Sequence, residues 1–240
     1  MFNIIICNNY DEVSLEAFKV IKEVVKENKQ PVLGLATGST PIGLYKNMKA
    51  DYKTGFSYSK CITFNLDEYV GLKRSHDQSY WTFMHENLFD SLDIDEANIN
   101  IPVGDTTDLE KSCADYEAQL EKYEVDVQIL GIGSNGHIAF NEPGSDFESK
   151  THVVELKEQT RKDNARFFDS IDDVPTQAIT MGIASITRAK KIVIIATGEN
   201  KAQAVYGMIK GPITTDVPAS ILQKHDNVVV ILDKDAASKL

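Results

Sequence analysis

Short apolar runs alternating with amphipathic stretches constrain this chain more than any other feature. The runs are Asn3–Cys7, Val32–Ala36, Cys61–Leu66, Val125–Leu130, Lys191–Thr197 and Asn227–Leu232. Each reads as a strand, and Val125–Leu130 and Asn227–Leu232 as buried ones. Ala178–Met181 is a further candidate strand. Between them lie helical patterns. One runs from a cap at Asp11 to about Asn28, with Val13, Phe18, Ile21 and Val25 near one face. Others run from Pro41 to about Met48 and over Tyr80–Phe89, Leu109–Lys122, Arg161–Phe168 and Asn200–Ile209. This alternation predicts an α/β fold with a mostly parallel, Rossmann-like sheet and helices on both faces. No Gly/Ser linker or composition break divides residues 1–240, which predicts a single domain. Phe147–Pro175 is a polar excursion from the main sheet, read either as a lid or as an ordinary surface insertion.

The net charge of −11, from 36 acidic against 25 basic residues, argues against nucleic acid as the main partner. It leaves room for a phosphorylated small molecule held by a locally basic site. The N-terminal MFNIIICNNYDE lacks the basic region and apolar length of a signal peptide. No stretch is long and apolar enough for a bilayer span. Cys7, Cys61 and Cys113 are scattered, without metal-ligand spacing. A cytoplasmic protein with no membrane partner and no metal is the expectation.

Chemistry concentrates at the ends of the strand-like runs. After Val125–Leu130 come Gly131, Gly133 and Gly136, which let the backbone turn sharply, and then Asn135, His137 and Glu142. A histidine beside an amide and a carboxylate is suited to moving protons near neutral pH. Gly131–Gly136 also matches the GxGxxG of dinucleotide-binding folds. That fingerprint needs a helix to open at the third glycine, and Pro143-Gly144 interrupts any such helix, so a nicotinamide enzyme is rejected. After Val32–Ala36, Thr37-Gly38-Ser39-Thr40-Pro41 leads into a helix. Ser39 or Thr40 can cap it, and the helix N-terminus favours an anion such as phosphate. Thr197-Gly198 with Lys201 repeats the arrangement; the plainer readings are a capped helix and a solvated lysine. After Cys61–Leu66 stand Asp67 and Glu68, one placed to face a cleft while its neighbour faces elsewhere. A loop carboxylate capping nearby N–H groups is the more ordinary outcome for such a residue.

Taken together, ATGSTP, FNLDEYVGL, SYWTFMHENLF, GIGSNGHIAFNEPG, TRKDNARFF and ATGENKAQAV resemble the glucosamine-6-phosphate deaminase family over most of the chain and in the family's order. The related 6-phosphogluconolactonases share a Gly-His segment but continue differently after the histidine. The resemblance implies conversion of glucosamine 6-phosphate and water to fructose 6-phosphate and ammonia, without metal or organic cofactor. It implies that Asp67 is the proton-transferring base. It implies that His137 is the ring-opening acid/base, with Glu142 and Asn135 orienting it. It further implies that Gly38, Ser39 and Thr40 form the phosphate loop, with Arg166 and Lys201 as cationic partners. Some members carry Asp where this chain has Asn135. An amide oxygen can accept an imidazole N–H but cannot stabilise imidazolium by charge, so reliance on Glu142 is expected. Longer members are hexamers activated by N-acetylglucosamine 6-phosphate through basic residues after FNEP and a C-terminal tyrosine. Here His152 and Val154 stand at the basic positions and the chain ends at Leu240. Hyperbolic kinetics and a monomer or small homo-oligomer are expected. The alternatives are a lactonase-like hydrolase of the same fold and a non-catalytic sugar-phosphate sensor.

Overall fold

The computed structural model describes residues 2–158, 161, 162, 168 and 170–240. Its strands are β1 (Phe2–Cys7), β2 (Val32–Leu35), β3 (Ile62–Asn65), β4 (Asp67–Tyr69), β5 (Ile99–Asn100), β6 (Val127–Gly131), β7 (His152–Glu155), β8 (Gln177–Thr180), β9 (Ile192–Ala196) and β10 (Val228–Asp233). The helices used below are α1 (Tyr10–Glu27), α2 (Ile42–Tyr52), α3 (Tyr80–Asn87), α4 (Leu109–Leu120), α5 (Ile183–Thr187) and α6 (Ala202–Lys210). Among the described residues, seven strands form one sheet in the order β1-β10-β9-β6-β2-β3-β5. Every pairing in it is parallel. β2, β3, β9 and β10 bury nearly every residue, as expected of strands covered on both faces.

Connectivity sets where ligands can go. From β2 the chain steps outward through β3 to β5, returns to β6 beside β2, and steps the other way through β9 and β10. Right-handed crossovers on opposite headings place their helices on opposite faces, as the alternation predicts. The heading reverses between β2 and β6. Loops leaving the carboxyl ends of those two strands diverge there and open a crevice, the usual ligand position in sheets of this kind.

Two expectations change. The candidate strand Ala178–Met181 is real as β8, but it lies in a second, antiparallel sheet ordered β4-β8-β7. β7 comes from the excursion and pairs with β8, whose other edge carries β4 from right after β3. The cap of α1 is Asn9, whose side chain accepts from Glu12 N at 2.9 Å, while Asn8 N donates to the Glu12 carboxylate at 2.8 Å. Asn9 has the extended backbone a cap requires (φ −159°), leaving Asp11 inside the first turn, where its charge suits the helix dipole.

The excursion is tied down at one buried carboxylate. Glu117 of α4 accepts from the hydroxyls of Thr151 and Ser185 at 2.7 and 2.8 Å and pairs with Arg188 at 2.9 Å. Glu117→Ala leaves the buried Thr151 and Ser185 hydroxyls without this acceptor and Arg188 without its partner. It is expected to cost about 2–4 kcal/mol in urea unfolding. A loss below about 1 kcal/mol would mean that water replaces the carboxylate freely.

Candidate active site

Four neighbouring strands, β9, β6, β2 and β3, release their following residues at one edge because all four run the same way. Those residues are Thr197–Lys201, Ile132–His137, Thr37–Pro41 and Leu66–Asp67. Packing joins them. Leu66 N donates to Leu35 O at 3.2 Å. Thr180, paired with Asp67 in register, accepts through Oγ1 from Phe140 N at 3.2 Å. The Tyr80 hydroxyl of α3 interacts with both Thr37 and Asp67.

The two consecutive carboxylates have opposite fates. Adjacent residues on a strand point to opposite faces. Glu68 turns to the N-terminus of α3, where it accepts from the backbone N–H of Tyr69, Tyr80 and Trp81 at 2.8, 2.9 and 3.0 Å. It therefore takes the ordinary capping role. Asp67 is buried, and among the described residues no donor hydrogen-bonds its carboxylate. Burial first, and the charge of Glu68 second, push it up to about 8. Tyr69 shares its face of β4 and packs on Tyr80 with ring centroids 4.7 Å apart. Tyr80 in turn stacks on Phe140, 6.4 Å away and within 12° of parallel. This aromatic wall keeps the carboxyl dry. Burial holds the Tyr80 phenol well above its ordinary range, with Tyr69 and Asp67 adding to the effect, so it stays a neutral donor.

The turn after β6 builds the second group. No α-helix opens at Gly136. Instead Gly136 and Ala139 adopt positive φ (87° and 50°), and Ile138 and Asn141 form an isolated bridge. The dinucleotide geometry is thus absent, as Pro143-Gly144 led one to expect. The His137 imidazole lies directly over Gly133: a β-carbon there would fall 2.3 Å from Cε1 and Nδ1. Nδ1 stands 3.5 Å from Oε1 of buried Glu142, close enough for charge coupling and longer than a tight hydrogen bond. Asn135 does not touch the ring as expected. Its amide donates to Glu142 Oε2 at 2.7 Å and its oxygen accepts from the His137 backbone N–H at 3.1 Å. The side chain is too short to reach past its own turn, so it aims the carboxylate and the carboxylate faces the imidazole. Sequence reading missed Lys157, whose Nζ lies 3.8 Å from the same Oε2.

The two Thr-Gly turns prove unequal. Gly38 and Gly198 both have positive φ, 88° and 91°. Among the described residues, the backbone N–H groups of Gly38, Ser39 and Thr40 meet no acceptor. Three donors just ahead of α2 are thus left without a protein partner among the described residues, an arrangement suited to an anion. In the second turn the Gly198 N–H is already taken by the Asp233 carboxylate at 2.9 Å. Lys201 closes the short helical turn Glu199–Lys201 that follows. Neither Ser39 nor Thr40 caps α2: Pro41 occupies the cap position without a side-chain bond. Arg166 lies outside the described residues, as does most of the helix expected over Arg161–Phe168.

A parallel α/β fold with a carboxylate, an imidazole and an anion-ready turn at its switch point defines a class of enzymes that move protons on phosphorylated small molecules. The sequence model of glucosamine-6-phosphate isomerases/6-phosphogluconolactonase matches residues 10–231, and the chain belongs to that family. The glucosamine-6-phosphate deaminase of Clostridium novyi (strain NT) is 53% identical over 234 residues, covering 97% of each chain. That of Thermoanaerobacter sp. (strain X514) is 52% identical over 237 residues, covering 98% of this chain and 94% of the relative. A solved monomeric glucosamine-6-phosphate deaminase superposes with a TM-score of 0.97 at 43% identity, covering 99% of this chain and 100% of that one. The 6-phosphogluconolactonase of Trypanosoma brucei superposes with a TM-score of 0.83 over 100% and 99% of the two chains. At 21% identity it shares the fold alone.

Proposed function

We propose that this chain is a glucosamine-6-phosphate deaminase, releasing fructose 6-phosphate and ammonia from glucosamine 6-phosphate and water. The observation that carries this reading is the placement of Asp67, a buried carboxyl pushed up to about 8, after the strand next to the Gly38–Thr40 turn, whose N–H groups meet no acceptor among the described residues. A carboxylate of ordinary acidity is a weak base toward a C–H bond, and raising it closes the mismatch. In this reading the phosphate sits on the turn after β2, with Lys201 and Arg166 adding charge. His137, held by Glu142, takes the anomeric proton and delivers one to the ring oxygen. Asp67 then removes the C2 proton of the open aldehyde and returns it to C1. The aldose becomes a ketose-level imine, which water hydrolyses. Phosphate binding away from C2 supplies orientation.

Ammonia release from glucosamine 6-phosphate tests the reading, with 6-phosphogluconolactone hydrolysis as the control. Lactone turnover without ammonia would reassign the chain to the lactonase branch. Binding without either reaction would make it a sensor. The enzyme acts in amino sugar catabolism as a cytoplasmic monomer; the monomeric relative supports the assembly state. Rate against substrate concentration is expected to be hyperbolic. A sigmoidal curve straightened by N-acetylglucosamine 6-phosphate would contradict the expectation that His152 and Val154, at the activator's basic positions, do not support activation.

A pH profile follows from the two carboxylates. A base raised to about 8 must ionise to work, so kcat/KM is expected to climb with pH toward that value. Glu68→Gln removes the neighbouring charge and is expected to move this limb to lower pH. It keeps one oxygen for the α3 N–H groups. An unmoved limb would mean that another group limits the rate.

A further inference from the structure

Among the described residues, one side chain from α1 ties the carbonyls of the turn after β2. Tyr10 opens α1, and its phenolic oxygen lies 2.9 Å from Ser39 O, 3.2 Å from Thr40 O and 2.8 Å from Gly43 N. A phenol has one proton and two lone pairs. The proton goes to the two turn carbonyls, and a lone pair receives the Gly43 N–H. Tyr10 thus supplies the bond at the head of α2 that Ser39, Thr40 and Pro41 do not.

Close helix contact makes the reach possible. A β-carbon on Gly43 would fall 2.1 Å from Ser14 Oγ and 2.9 Å from a Tyr10 ring carbon. Only glycine lets α1 approach this nearly. The consequence falls on the anion. A carbonyl oxygen left loose in this turn can swing toward a bound phosphate and repel it. Tied to Tyr10, the oxygens of residues 39 and 40 are kept away, while the N–H groups of Gly38, Ser39 and Thr40 stay without protein acceptors among the described residues.

We infer that Tyr10 is a positioning residue for the substrate's phosphate: it presets the 37–41 turn in its anion-receiving form without touching the ligand. This rests on the proposed phosphate role of that turn. Ordering paid for before binding appears as affinity. Proton transfer at Asp67 and His137 does not pass through Tyr10.

The test is steady-state kinetics with glucosamine 6-phosphate, with inorganic phosphate as competitor, on wild type, Tyr10→Phe and Gly43→Ala. Tyr10→Phe keeps the ring and loses only the hydroxyl. It is expected to raise both KM and the phosphate inhibition constant about tenfold, with kcat within about twofold. Gly43→Ala keeps the hydroxyl but displaces it, and should shift both constants in the same direction. Tyr10→Phe alone decides the matter if Gly43→Ala does not fold. Constants within about twofold of wild type in Tyr10→Phe, or a kcat that falls as far as KM rises, would overturn the inference. A wild-type enzyme without turnover would instead sink the deaminase reading. In that case direct phosphate binding to wild type and Tyr10→Phe still decides the role of Tyr10, by a weakened or an unchanged affinity.

Discussion

Asp67→Asn is expected to lower kcat about 10³-fold while leaving KM within a few-fold of wild type. Asn has nearly the same volume and keeps one oxygen, so the aromatic wall of Tyr69, Tyr80 and Phe140 has no cause to move. It cannot accept a proton, and proton transfer between C2 and C1 stops. Single-turnover and steady-state ammonia release measure the effect. A large rise in KM with kcat retained would make Asp67 a substrate-holding residue. The same variant carries a stability signature of fixed sign. The folded carboxyl is raised to about 8 from a usual 3.8, so the folded state holds its proton more tightly than the unfolded chain does. Ionisation therefore costs stability progressively as pH rises from about 4 to 8, and the full cost persists above. Asn does not ionise. The variant should equal wild type near pH 4 and unfold at a higher temperature near pH 8.5. Equal melting at both pH values would show that Asp67 is not desolvated in solution.

Gly133→Ala is the second large effect, and it reaches the site without altering any proton-carrying group. Gly133 lies outside the left-handed region, so alanine suits its backbone. The added methyl would nonetheless sit 2.3 Å from two His137 ring atoms and 2.5 Å from Nε2. The imidazole must swing off the glycine and away from Glu142. A displacement of about 1 Å in a catalytic group can cost about 10²-fold, and kcat/KM is expected to fall by at least that much. The thermal midpoint should stay within a few degrees, because the ring is partly exposed and has room to move. Near-normal activity would show that the imidazole works from another position.

The comparison of neighbouring residues explains what was legible beforehand. Parallel strands buried on both faces must be continuous apolar runs, so β2, β3, β6, β9 and β10 stood out in the sequence; β1 stood out by the same apolar run although, at the sheet edge, it leaves Ile4 and Ile6 exposed. β5 has only two residues, too few to carry a pattern. The breaks after these runs marked Asp67, His137, Glu142 and the Gly38 turn, because a ligand-binding edge needs turn-formers and charge immediately beyond the core. Partners supplied from distant segments carried no such mark. Tyr10 reads as one more aromatic at a helix start, and Lys157 as a solvated lysine in a polar stretch. Glu68 and Asp67 look alike in one dimension. The two Thr-Gly turns look alike as well, until Asp233 is seen on one of them.

Local chain stiffness, burial and turn-making are properties of contiguous residues, and these the sequence determined: the parallel α/β layering, the order of its elements and the edge at which chemistry gathers. Which of two adjacent acids is left dry, which glycine turn keeps its N–H groups open, and what the Asn135 amide grips were decided only by tertiary structure. Those outcomes depend on hydrogen-bond partners dozens of residues away, and the competition for a donor or acceptor is settled only when the partners meet in space.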